Sequence, residues 1–244
     1  MAYIGNSYHI CMLKGDVFLR KKLGIVALMA VLAGIIFLSQ SAGERLYEQV
    51  SGTVRSDNLV VIDSGHGGMD PGKVGVNGAY EKDINLSIAG KLKKILEEQG
   101  MTVAMTREDE NSLADSKSED MKKRVSIINE KKPVLAVSIH QNSYSSEEVH
   151  GAQVFYYSHS TEGERAAKIM QEILRDVDKG NTRQAKANDI YYMLKRTEVP
   201  VIIVECGFLS NRQEAALLIT EEYQEKMAQA IAQGILEYTV GKDN

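Results

Sequence analysis

The amino-acid sequence reads as an α/β domain that follows an export segment. Three observations lead to that reading. Short uninterrupted apolar runs, Leu59-Val60-Val61-Ile62, "VLAVSI" and "VIIV", have the length and β-branched content of strands buried on both faces. Between them lie longer stretches whose apolar residues recur at helical spacing. A glycine-rich turn, "DSGHGGMDPG", follows the first run, where an α/β unit changes direction.

Taken in order, the chain begins with a segment unlike the rest. Arg20-Lys21-Lys22 precede Leu23 to Leu38, "LGIVALMAVLAGIIFL", which carries no charge. A basic flank and an apolar core read as a secretion signal or a single membrane anchor. The core is slightly short of the roughly 20 apolar residues of a spanning helix, and Ser39 and Ser41 offer small residues for cleavage. Either way the basic flank stays inside, and the chain beyond Ala42 is exported to the outer face of the membrane. Residues 1–43 are thus expected to be cytoplasmic tail plus signal or anchor, 44–57 a polar linker, and 58–244 a catalytic domain. Cys11 and Cys206 would lie on opposite sides of the membrane and should not pair.

Within the domain, Leu59 to Ile62 is a first strand and Glu81 to Gln99 a helix, with Ile84, Ile88, Leu92 and Ile95 on one face and Gly100 closing it. Thr102 to Met105 is a second strand, Asp109 to Lys117 a polar loop, and Met121 to Asn129 a helix. Val134 to Ile139 and Val154 to Tyr157 are further strands, and Glu164 to Val177 an amphipathic helix. Ile190 to Leu194 and Val201 to Val204 complete six strands, and two helical stretches end the chain.

Composition excludes some partners. The net charge is -4, Trp is absent, and no cluster of Lys and Arg offsets the acidic balance, which argues against nucleic acid.

The glycine turn poses a choice between phosphate and metal. Gly67 to Lys73 spells G-x-x-x-x-G-K, but Val74 stands where a phosphate loop needs a hydroxyl, and Pro71 removes a backbone N–H. A dinucleotide loop would need glycine at Asp70. The metal reading gathers support from other strand ends. His140 closes "VLAVSI" and Glu205 closes "VIIV", so with His66 three strand ends deliver chemistry to one rim, where open α/β sheets build their sites. Glu81 opens the helix after the loop and can point to the same rim, or can simply favour a helix N-terminus. Two histidines and a carboxylate are a usual zinc set. His9, His150 and His159 have no comparable context. Asp63 and Asp70 are both candidates to orient His66.

Four motifs in order, "VIDSGHGGMDPG", "YEKDINL", "SIHQNS" and "VECGFLSN", resemble the zinc-dependent N-acetylmuramoyl-L-alanine amidases of the amidase-3 type. The resemblance covers roughly Leu59 to Tyr238. It implies a three-layer sandwich, a twisted, mixed and mostly parallel six-stranded sheet between helices. It also implies Zn²⁺ ligands at His66, Glu81 and His140, and Glu205 as the catalytic carboxylate. The implied substrate is peptidoglycan, cut between N-acetylmuramic acid and L-alanine. Ser64 replaces a common proline and should not touch the metal, whereas Gln141 replaces a small residue and is expected to alter substrate contacts. Longer stretches, "TREDENSLAD", "SEDMKKRVSIIN" and "TRQAKANDIYYMLKRTEVPVIIVECGFLSN", resemble the branch of the family that acts in spore cortex on the route to muramic-δ-lactam. The competing readings are a vegetative-wall autolysin and an inactive wall-binding relative. Gln141 to His150 leaves too little chain for the inhibitory helix of some relatives, so control is expected through zinc occupancy, an activating accessory protein or timing.

Overall fold

The computed structural model describes residues 58–241. The signal or anchor segment, the linker and Cys11 lie outside the described residues. Among the described residues no helix is long and apolar enough to cross a membrane.

Six strands form one sheet: β1 (Leu59–Ser64), β2 (Thr102–Met105), β3 (Leu135–Asn142), β4 (Gln153–Tyr156), β5 (Lys186–Ala187) and β6 (Val201–Phe208), in the order β2-β1-β3-β6-β4-β5. β2, β1, β3 and β6 run parallel, and β4 meets β6 antiparallel, so the sheet is mixed and mostly parallel. The helices are α1 (Glu81–Glu98), α2 (Lys117–Lys131), α3 (Thr161–Val177), α4 (Tyr192–Arg196), α5 (Arg212–Leu218) and α6 (Glu221–Val240). α6 packs on α1 and α3, while α2 contacts α4.

The sheet separates two apolar layers, and the twofold period of the strands decides which residue joins which. Val60, Ile62, Leu135, Val137, Ile202 and Val204 join the larger layer with Ile88, Leu92, Met170 and Ile231. Val61, Ala136, Val201 and Ile203 face the smaller layer with Val125, Ile128 and Met193. Each fully buried Ile or Leu contributes about 1.5–3 kcal/mol. A one-residue slip of β1 or β3 would reverse every one of these placements, so the register is strongly held.

Three expectations need correction. Ile190 to Leu194 is not a strand. The Asn188 side chain accepts from both Ile190 N and Tyr191 N at 2.9 Å, a turn that ends extension, and Lys195 N then bonds Tyr191 O in the helical turn α4. The last strand of the sheet edge is instead Lys186–Ala187, against β4. β3 and β6 also continue past their apolar runs, so His140 and Glu205 lie inside strands, paired opposite each other, with an irregularity just beyond. Backbone pairing does not stop where apolar side chains stop. Finally, α2 starts at Lys117 rather than Met121, because Ser116 caps it by accepting from Glu119 N. Residues 143–152, between β3 and β4, hold no helix, as the length of that connection predicted.

Candidate metal centre

The site is built at the carboxyl ends of β1 and β3. Beyond Ser64 the chain turns at once, with Gly65 N bonded to Ile139 O at 3.1 Å and His66 held at φ 63°. A reciprocal backbone pair, Gly67 N to Asp70 O and Asp70 N to Gly67 O, closes the loop. The glycines make room for side chains. A Cβ on Gly65 would lie 2.3 Å from the His140 ring, and one on Gly72 would lie 2.5 Å from Glu81 Oε2 and 2.7 Å from His66 Cδ2.

The same loop serves the helix that carries Glu81. No side chain caps α1; instead Glu81 N bonds Lys73 O and Lys82 N bonds Pro71 O, which satisfies amides that a helix start leaves open. Glu81 is 2% exposed, and its oxygens divide the work. Oε2 accepts from Lys73 N at 2.7 Å. Oε1 lies 2.9 Å from His140 Nδ1 and 3.2 Å from His66 Nε2, and it accepts from Gln141 N at 3.1 Å. One donor atom from each of His66, Glu81 and His140 falls within 4.8 Å of the others. Asp70 Oδ2 lies 2.9 Å from His66 Nδ1, and Lys117 Nζ lies 2.7 Å from Asp70 Oδ1. Two imidazoles, one carboxylate and a second carboxylate behind one imidazole suit a divalent cation.

The electrostatics support that fit. Burial alone would raise the Glu81 pKa, but hydrogen bonds and charge from His140 and His66 hold it far below the carboxylate range. Burial alone would lower the His140 pKa, yet the Glu81 partner lifts it to about 9. Glu81 thus stays a carboxylate through its histidine partners, the protonation state a metal ligand needs.

Glu205 faces His140 across the β3–β6 pair and is 7% exposed. Its Oε2 is buried and has no hydrogen-bond partner. Burial raises its pKa to about 7, although the nearby histidines act against that. A small cavity of about 130 Å³ lies beside it, lined in part by Met121, Tyr191, Met193 and Ile203. A carboxylate with a pKa near neutrality can take a proton and give it back, which is what general acid–base chemistry requires.

The structure therefore brings together all four expected residues, His66, Glu81, His140 and Glu205. Of the two candidates to orient His66, only Asp70 reaches it; Asp63 instead accepts from Thr106 Oγ1, Ser138 Oγ and Arg124 Nη1. Gln141 turns into the protein: it is 2% exposed, and its Nε2 donates to Asn85 Oδ1 on α1. The carbonyl of Ser64 is held by two arginines that sequence reasoning overlooked. Arg124 donates to Ser64 O and His66 O, and Arg107 to Ser64 O and Gly65 O. Arg124 also pairs with Asp63 and Asp120. Arg124 stands in the helix expected over Met121 to Asn129 and Arg107 just past the second strand, and no local pattern marks either as buried.

Comparison with known proteins agrees with this geometry. The Amidase_3 profile, N-acetylmuramoyl-L-alanine amidase, matches residues 60–237. The germination-specific N-acetylmuramoyl-L-alanine amidase of Bacillus subtilis is 40% identical over 195 residues, covering 77% of this chain and 82% of the relative. A solved structure of the CwlD amidase from Clostridioides difficile, in complex with the GerS lipoprotein, is 39% identical with a TM-score of 0.73, and covers 75% of this chain and 99% of that one. The catalytic domain of CwlV, an N-acetylmuramoyl-L-alanine amidase from Bacillus (Paenibacillus) polymyxa, superposes with a TM-score of 0.67 at 34% identity, covering 74% and 97%. The chain belongs to the Amidase_3 family of N-acetylmuramoyl-L-alanine amidases.

Proposed function

We propose that this amidase hydrolyses the bond between N-acetylmuramic acid and L-alanine in spore-cortex peptidoglycan, with Zn²⁺ held by His66, Glu81 and His140 and with Glu205 as the proton carrier. The observation that carries the reading is the buried, unpartnered Glu205 Oε2 beside a convergent His–Glu–His set. A wall-binding relative has no use for an ionisable carboxylate that burial disfavours.

Zinc would supply Lewis acidity at the lactyl carbonyl and for the attacking water. His66 and His140 present imidazole nitrogens, and Asp70 fixes the tautomer of His66 by accepting from its Nδ1–H. Lys73 N holds the Glu81 carboxylate in orientation from its far oxygen. Glu205 accepts a proton from water as the oxygen bonds to the carbonyl carbon. It then returns that proton to the alanine nitrogen as the C–N bond breaks, since an amide nitrogen leaves poorly unprotonated.

The cortex assignment is supported by the germination-specific relative and by the CwlD structure. That structure contains the GerS lipoprotein, which supports an accessory activating protein for this chain too. Cell-wall action requires export, which residues 20–43 would provide as a signal or membrane anchor. The test is mass spectrometry of peptidoglycan incubated with the full chain, with and without zinc. New N-terminal L-alanine on cortex stem peptides, dependent on zinc, is the expected result. Cleavage of vegetative wall but not cortex would make it a vegetative autolysin, and unchanged peptidoglycan would leave only a binding protein.

A further inference from the structure

Arg107 differs from the other buried charges. It is 4% exposed, yet among the described residues it forms no ion pair. Its donors go to four backbone carbonyls: Nε to Ser64 O at 2.9 Å, Nη2 to Gly65 O at 3.0 Å and Lys82 O at 2.8 Å, and Nη1 to Asp109 O at 2.7 Å. Ser64 and Gly65 immediately precede His66, and Lys82 immediately follows Glu81. One planar guanidinium therefore joins the loop that carries one imidazole to the first helical turn that carries the carboxylate. It ties both to the segment leaving β2. The fork has fixed angles between its donors, so it transmits a distance and not only an attraction. Burying a cation that no carboxylate bonds directly is costly, although Asp63, Asp120 and Asp83 lie near enough to favour its charge, and an apolar side chain could fill the same space. What an apolar side chain cannot do is hold three separate segments at one spacing.

We propose that Arg107 is a positioning residue that sets the separation of His66 and Glu81, and through it the affinity of the site for its cation. The inference rests on the metal reading of His66, Glu81 and His140. His66 is held in a left-handed conformation that most residues avoid, so the loop needs an outside constraint to stay there. Arg124 bonds the His66 carbonyl directly, but it does not reach α1. Asn85, on α1 itself, also donates to Gly65 O and Glu81 Oε1, but Arg107 reaches the His66 loop and the Glu81 helix from a third segment, the one leaving β2.

The test uses the full chain with Arg107→Met, which keeps length and removes every donor, and Arg107→Lys, which keeps the charge but not the fork. Zinc affinity is measured by competition with a chromophoric chelator, and thermal stability of the metal-free proteins is measured alongside. Ile231→Ala, a fully buried change in α6, serves as a variant that lowers stability without touching the loop. Arg107→Met is expected to weaken zinc binding by about 10- to 100-fold, with Arg107→Lys recovering part of the loss and Ile231→Ala binding zinc as the wild type does. If Arg107→Met does not fold, Arg107→Lys against Ile231→Ala carries the same comparison. Wild-type zinc affinity in the Arg107 variants, or an equal loss in Ile231→Ala, overturns the inference while leaving the metal reading intact. A wild-type chain that binds no zinc overturns the metal reading and the inference with it.

Discussion

Two buried carboxylates lie on strands separated only by β3, and they behave in opposite ways. Asp63, on β1, is 1% exposed, and burial by itself raises its pKa, but Arg124, Ser138 and Thr106 outweigh that and hold it low. Glu205, on β6, is 7% exposed; there burial wins, and the pKa rises to about 7. The difference is in the partners. Both Asp63 oxygens accept short hydrogen bonds, from Thr106 and Arg124 on one and Ser138 on the other. Glu205 Oε2 has no partner. Asp63, satisfied on both oxygens, holds the scaffold together, and Glu205, unsatisfied, is the one the proposed chemistry uses. Asp63, Asp120 and Arg124 form the rigid underside of the loop whose upper side carries His66.

The largest effect should come from the unsatisfied member. Glu205→Gln keeps shape but cannot shuttle a proton, so release of L-alanine amino termini from peptidoglycan should fall on the order of 10²- to 10⁴-fold. Zinc content should be unchanged; activity within tenfold of wild type would remove Glu205 from its role. Breaking the satisfied member should instead harm folding. Arg124→Met leaves Asp63 and Asp120 without their cation and should cost about 3–5 kcal/mol in chemical denaturation. A loss under 1 kcal/mol would mean that the hydroxyls of Thr106 and Ser138 suffice.

The comparison sharpens further with pH. A carboxylate whose folded pKa is raised favours the fold only while protonated, so its contribution is present below its ordinary 4.5 and is lost as pH rises through about 7. Metal-free Glu205→Gln lacks that loss. At 1.36 kcal/mol per unit it should exceed the wild type by about 3 kcal/mol near pH 8 and match it near pH 4. Equal stability at both would show that Glu205 is not strained by burial. Asp63 has the opposite sign: its contribution is present above the ordinary 3.8 and is lost only as acid takes the pH through its lower folded value. The smallest effect concerns the helix that carries Arg124. Ser116→Ala removes the cap on α2 and should cost about 1 kcal/mol in the same denaturation assay, with zinc binding unaltered.

Much of the site was legible because chemistry stands at the ends of apolar runs. "LVVI", "VLAVSI" and "VIIV" announce strands, and His66, His140 and Glu205 follow them within a few residues. The parallel arrangement then gathers them at one rim. The edge of the sheet was less legible. Ile190 to Leu194 has strand-like composition, but the Asn188 side chain just before it accepts from Ile190 N and Tyr191 N and turns the backbone. Arg107, Asp120 and Arg124 were not legible at all. Charged residues ordinarily face water, and only folding shows that the glycine loop closes over these.

The amino-acid order by itself determined five of the six strands, the helix that presents Glu81, and the residues that reach the rim, because each depends on a local period. The tertiary structure alone decided that Asp70 and not Asp63 orients His66, that Gln141 turns inward, and that Glu205 lies buried without a partner. Those outcomes depend on which groups meet across the fold, and hydrogen bonds and pKa values are set by such meetings, not by neighbours in the chain.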